Sequence, residues 1–370
     1  MIDPRLRKWA DTLVHYSVGL KPGEQVLIRA DEAAIPLVKE IYAAALRAGA
    51  HPHAQTLIDG LDEIFLTSAN DAQLDFVSPV RRFEYETIDT LIAVIAPTNT
   101  AALAAVDPAR QARAQKANGA IRQSLFQRAA AGRSKWTLTL YPTPAAAQNA
   151  GMSLAAYEEF LFSAMLLNRD DPAEGWRELS RDQQKYVDYL DRVDTLRFVA
   201  AGTDISLRVG GRKWINSDGH RNFPSGEVFT GPIEDTAEGH VRFTFPAAHL
   251  GNEVDDIRLT FQKGRVVSAE AGRGKDFLEA MLNSDPGARF LGEVAVGTNY
   301  GVTRFSRNTL YDEKIGGTFH MALGRSYPET GGVNESSLHW DMICDMRPEA
   351  GGGAIYADGI LIHENGEWKI

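Results

Sequence analysis

The sequence predicts an α/β protein in two domains. Residues 1–195 form an N-terminal α/β domain on a mostly parallel sheet, and residues 196–370 form a strand-rich α+β domain. Three observations lead there. A chain of 370 residues, 44% of them hydrophobic, suits two cores better than one. Its first half alternates helix-period and strand-period segments, as a sheet with crossover helices does. Beyond Asp194 short strands and glycine turns take over.

Taken in order, Pro4 to Tyr16 carries apolar residues at helical spacing, and Gln25 to Arg29 is a short apolar strand. Ile35 to Ala48 is a helix ended by Gly49, His53 to Ile58 alternates as a strand, and Thr90 to Ala96 reads as a buried strand. Pro108 to Arg133 is rich in Ala, Arg and Gln and is expected to be helical, with a further strand from Trp136 to Tyr141. Amphipathic helices are expected over Ser153–Leu167 and Arg181–Val193, separated by the polar stretch Asn168–Glu178. The second domain opens with strands in Leu196–Val209 and Arg212–Ile215 around Gly210-Gly211. It continues through alternating Val241–Pro246 and Asp256–Phe261, a helix from Lys275 to Asn283, and a final strand region over Ile355–Trp368.

Several function classes are disfavoured. A net charge of −10 opposes a nucleic-acid partner, which calls for a basic patch. The chain lacks G-x-G-x-x-G after its first strand and lacks G-x-x-x-x-G-K-[ST], so a dinucleotide cofactor is not expected; Ala271-Gly-Arg-Gly-Lys-Asp276 is only a superficial match near a helix start. No segment approaches the roughly 20 apolar residues of a membrane span. A single cysteine, Cys344, fits a reducing compartment, and with no signal-like start the expected location is the cytoplasm.

Chemistry-bearing residues concentrate between Asn308 and Asp345, where Asp312, Glu313, His320, Tyr327, His339 and Asp341 occur together. In Ser337–Cys344, Leu338, Trp340, Met342 and Cys344 alternate with Ser337, His339, Asp341 and Ile343. That period of two puts His339 and Asp341 on one strand face, able to ligate one cation or two adjacent ones, and turns Cys344 toward the core. Glu313, His320 and Tyr327 are spaced by seven, but Gly316-Gly317 and Gly324 oppose one continuous helix. Upstream, Glu227 follows a Pro-Ser-Gly turn at the head of Glu-Val-Phe-Thr, and Glu293 lies in the apolar run Phe290–Val296. A buried carboxylate needs a partner. Taken singly, each has an ordinary structural explanation: a hydrogen-bonded His-x-Asp pair, a solvated Asp-Glu turn, or a salt bridge to Arg221, Arg289 or Arg304.

As a set they resemble a known family. PSGEVFT, ARFLGEVA, NTLYDEK, FHMALGRSYPE and NESSLHWDM, with the N-terminal LVHYSVGLKPGEQVLI, are similar to the M29 metallo-aminopeptidases, the aminopeptidase T and aminopeptidase S group, over essentially the whole chain. The resemblance implies six metal ligands at Glu227, Glu293, Glu313, His320, His339 and Asp341, and an active-site tyrosine at Tyr327. It makes residues 196–370 the catalytic metal-binding domain. One departure is visible. Thermophilic members read like DENAASH, whereas this chain reads DEKIGGTFH, and Gly316-Gly317 is expected to absorb the two extra residues in a turn.

Four carboxylates and two neutral imidazoles suit two divalent cations better than one, because that many converging carboxylates repel one another without metal. The expected activity is that of a hydrolase: a water acidified by both ions attacks the first peptide carbonyl of the substrate, and the resemblance implies that the substrates are short peptides cleaved from their amino end. Tyr327 is placed to donate to the oxyanion, the alternative being a packed aromatic with its hydroxyl on a backbone carbonyl. Glu293 is the candidate general base, although which Glu bridges the ions and which titrates stays open. Such a shell accepts zinc, cobalt or manganese, with zinc favoured over manganese by affinity. The resemblance also implies zinc or cobalt, and a homodimer. A competing reading takes His320, His339 and Asp341 alone as the facial triad of a mononuclear Fe(II) ring-cleaving dioxygenase; Glu227, Glu293 and Glu313 together argue against it.

Overall fold

The computed structural model describes residues 3–370, apart from the side chains of Ala120 and Arg122. Two compact units divide the chain. The first runs to Ala173 and takes in Gly219–Phe223; the second comprises Glu174–Asp218 and Pro224–Ile370.

In the first unit β1 (Gln25–Asp31), β2 (His51–Leu57), β3 (Thr90–Ile95) and β4 (Lys135–Leu140) lie parallel in the order β2-β1-β3-β4. Val26, Leu27 and Ile28 of β1 are all buried, the continuous apolar run of an internal parallel strand. The helix Ile35–Arg47 packs Leu37, Val38, Ile41, Ala44 and Ala45 inward at helical spacing. Asp107 caps the long helix Pro108–Ala130 by accepting from the Ala109 amide at 2.8 Å. At the carboxyl ends of β1 to β3 lies a cleft of about 430 Å³ whose walls include Asp31, Glu32, Asp59, Asp62 and Glu63. Their charge is the wrong sign for a phosphate.

The helix Pro172–Leu190 starts earlier than its periodicity predicts, so most of the polar stretch expected to separate two helices is itself helical. Pro172 stands at its first residue, where proline lacks only an amide that has no partner anyway. Its far end contributes Val187 and Leu190 to the core of the second unit, so the change from helical to strand pattern near residue 195 falls inside that unit.

The second unit is built from strands. β5 (Thr195–Ala200), β6 (Thr203–Arg208) and β7 (Ile215–Ser217) come first, and β8 (Asn222–Phe223) joins β4 in the first unit. There follow β9 (Glu227–Thr230), β10 (Glu238–Arg242), the hairpin of β11 (Ala247–His249) and β12 (Asn252–Val254), and the pair β13 (Arg258–Gln262) and β14 (Arg265–Glu270). After the helix Lys275–Leu282 come β15 (Leu291–Gly297), β16 (Thr318–Gly324) and β17 (His339–Asp345). The chain closes with β18 (Gly353–Ala357), β19 (Ile360–Glu364) and β20 (Glu367–Trp368).

Two antiparallel sheets result. One has the order β14-β13-β10-β6-β5-β18-β19-β20 and the other β17-β16-β15-β9-β7. They share one core, in which Phe198, Ile205 and Leu259 of the first meet Val294, Phe319, Met321 and Met342 of the second. The rings of Phe198 and Phe319 lie 4.7 Å apart between centroids. Among the described residues no helix is long and apolar enough to cross a membrane.

Candidate metal centre

The five-stranded sheet positions the site through its register. Gly297 stands opposite Glu227, Ala295 opposite Phe229 and His320, Glu293 opposite Ala322, Ala322 opposite Asp341, and Gly324 opposite His339. Directly opposed residues share a face, so Glu227, Glu293, His320, His339 and Asp341 all project from one side. Ala295, Gly297, Ala322 and Gly324 fill the intervening positions with little or no side chain, which leaves room for the larger groups to converge. The opposite face carries Val294, Val296, Phe319, Met321, Leu323, Trp340, Met342 and Cys344 into the core. A one-residue slip of any of these strands would turn its ligand candidates into that core.

Glu227 is delivered by the expected turn. Gly226 has φ +117°, and a Cβ there would stand 2.5 Å from that of Asn299, so only glycine fits. Glu313 arrives differently, at the end of the short helix Thr309–Asp312, which Asn308 caps through the Leu310 amide at 3.1 Å. Gly316 and Gly317 then form the turn into β16, with Gly317 at φ +87°.

All six sequence candidates come together, in the overlapping groups Glu227–Glu293–His320, Glu293–His339–Asp341 and Glu313–His320–Asp341. His320 Nε2 lies 3.5 Å from Glu227 Oε2 and 3.6 Å from Glu293 Oε1. His339 Nε2 lies 3.4 Å from Glu293 Oε2 and 3.6 Å from Asp341 Oδ1. Four such separations are long for hydrogen bonds. They match ligand atoms about 2.1 Å from a common ion at tetrahedral angles, which are about 3.4 Å apart. Glu227 Oε2 is buried without a hydrogen-bond partner among the described residues, as is His320 Nδ1. His339 Nδ1 lies 2.8 Å from the Arg325 carbonyl oxygen and donates to it, which turns Nε2 toward the cluster. By donor type, spacing and an orphaned carboxylate oxygen, the site fits a divalent metal.

Burial raises the carboxyls of Glu313 and Asp341, the latter to about 6. Burial also acts on Glu293, but contacts from His320 and His339 prevail and lower it to about 2. Desolvation opposes charge on both imidazoles, yet the facing carboxylates raise His320 to about 9 and His339 to about 10. Without metal, protonated histidines therefore balance part of the negative charge.

Tyr327 borders the cluster, its ring 5.0 Å from that of His339 and 5.6 Å from that of Phe229. Burial, and then the charges of Glu293, Asp341, Glu313 and Glu227, raise its phenol well above 10, so it stays protonated. Cys344 is buried in the core with its thiol pushed up to about 12 by desolvation.

Lys314 escaped the sequence reading, and Asp312 was named there without a role. Lys314 is 1% exposed, and its Nζ lies 2.5 Å from both Glu227 Oε1 and Glu313 Oε1. It takes the place expected for an arginine beside Glu227, while Arg289 pairs with Glu279. Asp312 is buried, accepts from the Ser306 amide and hydroxyl at 2.7 Å each, and is raised to about 7, chiefly by burial. It ties down the loop that presents Glu313. The signal for Lys314 was its place between an acidic pair and the apolar Ile315, which by itself reads as a solvated charge.

Residues 2–368 match the family model described as thermophilic metalloprotease (M29). Aminopeptidase 2 of Geobacillus stearothermophilus is 30% identical over a 415-residue alignment that covers 100% of this chain and 98% of that protein. Aminopeptidase T of Thermus thermophilus is 27% identical, covering 99% of this chain and 98% of that one. The structure of wild-type AmpT from Thermus thermophilus superposes with a TM-score of 0.86 at 25% identity, covering 100% of both chains. These likenesses do not favour the dioxygenase reading of His320, His339 and Asp341. With the match running from residue 2 to residue 368, the chain belongs to the M29 family of metalloproteases.

Proposed function

We propose that the chain is a metal-dependent aminopeptidase that releases N-terminal residues from short peptides. Glu227, Glu293, Glu313, His320, His339 and Asp341 are its ligands, and two divalent ions are its full complement. Zinc is the first candidate, with cobalt or manganese as alternatives. The observation that carries this reading is the convergence of Glu227, Glu293, His320, His339 and Asp341 on one sheet face at 3.4–3.6 Å, with Glu313 joining from the adjoining helix end. The aminopeptidases named above, similar along their whole length, support it.

Divalent metal on these groups lowers the pKa of a water and polarises a carbonyl oxygen. The chain's own residues do the rest. Glu293 stays ionised at neutral pH and receives the proton of the attacking water. Tyr327, a protonated phenol at the rim, donates to the oxyanion that develops on the scissile carbonyl. Selection of the N-terminal residue would come from the free α-amine, which divalent metal on these groups would also hold.

A homodimer is part of the proposal through the family resemblance, and a cytoplasmic setting through the single cysteine. The test is hydrolysis of Leu- and Ala-p-nitroanilide before chelation, after it, and after adding back zinc, cobalt or manganese. Chelator-sensitive release of p-nitroaniline is the expected result. Hydrolysis of neither compound by fully metallated protein, with short peptides equally untouched, would remove the reading.

A further inference from the structure

The six candidate ligands do not share one environment. The Lys314 ammonium is in contact with Glu227 Oε1 and Glu313 Oε1, each at 2.5 Å, and is almost wholly enclosed. The backbone holds it there. The Asn299 amide donates to the Lys314 carbonyl at 3.0 Å, and the Lys314 amide donates to the Tyr311 carbonyl at 3.0 Å. Gly297, directly opposite Glu227 on the site face, makes room for the segment: a Cβ there would meet the Ile315 carbonyl oxygen at 2.1 Å and the Lys314 carbonyl carbon at 3.0 Å.

Ligand oxygens lie about 2.0–2.2 Å from a divalent transition ion, so an ammonium nitrogen already 2.5 Å from both oxygens fills the notch between them. Metal and ammonium cannot occupy it together. At the other end, Glu293, His339 and Asp341 have no lysine or arginine partner among the described residues, and His339 Nε2 keeps 3.4 Å to Glu293 Oε2 and 3.6 Å to Asp341 Oδ1. We propose that Lys314 is a built-in counter-cation that makes the two metal positions unequal. One ion is held tightly on Glu293, His339 and Asp341; a second, on the His320 side, gains Glu227 Oε1 and Glu313 Oε1 together only by displacing the lysine head. The inference rests on the metal-binding reading of the cluster and deepens it.

The test is metal stoichiometry, read by mass spectrometry of protein equilibrated in chelator-buffered zinc. Wild-type protein is expected to retain one ion per chain after desalting and to take a second only at much higher free zinc. Lys314→Met, which keeps the side chain's length without its charge, is expected to retain two, its second site tightened by roughly a hundredfold or more, as removal of a cation about 4 Å from a divalent ion implies. Lys314→Gln, which keeps a donor for Glu227 and Glu313, is expected to fall between. Two ions of matched affinity in the wild type overturn the proposal without recourse to any variant, and so does a single retained ion in Lys314→Met. Folding of the variants is followed by circular dichroism; if both fail to fold, the wild-type titration decides alone. Activity is scored separately: one tight ion without peptide hydrolysis defeats the aminopeptidase reading and leaves the role of Lys314 standing, whereas hydrolysis with two matched ions does the reverse.

Discussion

His339 is steered by a backbone atom, because its Nδ1 lies 2.8 Å from the carbonyl oxygen of Arg325. A ring held through one nitrogen presents the other in a single orientation, which raises its worth as a ligand. His339→Ala should therefore lower the retained metal, while the fold, whose core lies on the opposite sheet face, stays intact. Metal analysis with circular dichroism checks both; unchanged metal content at saturating and limiting zinc would exclude His339 as a ligand.

Glu293→Gln keeps the shape of the side chain and removes the carboxylate. If Glu293 accepts the water's proton, kcat should fall by roughly 10²- to 10⁴-fold with little change in the circular dichroism spectrum. Steady-state kinetics on metal-saturated variant protein decides, and full activity would end that assignment.

Tyr327→Phe removes a hydroxyl from the rim. An oxyanion donor acts mainly in the transition state, so kcat should drop about 10²-fold or more with KM nearly constant. A rise in KM alone would instead make Tyr327 a substrate-binding aromatic.

Metal uptake should release protons. In the metal-free protein His320 and His339 are raised to about 9 and 10, so both are protonated at neutral pH and must lose those protons to ligate. Calorimetry of zinc binding at pH 7.5 in buffers of different ionisation enthalpy should report close to two protons released per chain, and affinity should climb as pH rises toward 9. The same shifts set the sign for stability. Raised imidazoles stabilise the metal-free fold fully below about 6.5, and this contribution is lost as pH climbs through about 9 to 10. The urea midpoint of metal-free protein should accordingly fall between pH 7 and pH 10. A flat profile together with buffer-independent heats would contradict the protonated histidines.

Ala322 stands opposite both Glu293 and Asp341. Ala322→Leu should fill the space the ligands need, weakening metal binding at a stability cost of about 1–3 kcal/mol. Met321→Ala, one residue along and facing the core, should cost about 2–5 kcal/mol yet leave metal stoichiometry unchanged. Melting curves and metal analysis of the two variants side by side test whether the faces are divided as the register indicates.

Local pattern alone accounts for much of this protein. The apolar runs of β1, β3 and β15 read as strands buried on both faces, and the alternation that opens His339–Asp345 reads as a strand with one half-buried face; all four are strands with that burial. The pairing of His339 with Asp341 was legible for the same reason. Tertiary structure decided what lay beyond one element. Glu227, Glu293 and His320 are far apart in the chain, and only the register of β9, β15 and β16 puts them on a common face. Lys314 is the sharpest case. A lysine beside an acidic pair reads as solvated, since water normally wins the competition for its charge. Here Gly297 and the loop tied down by Asp312 enclose it, and once water is excluded the carboxylates of Glu227 and Glu313 are its remaining partners. That outcome depends on solvent exclusion, a property of the assembled fold that no window of sequence contains.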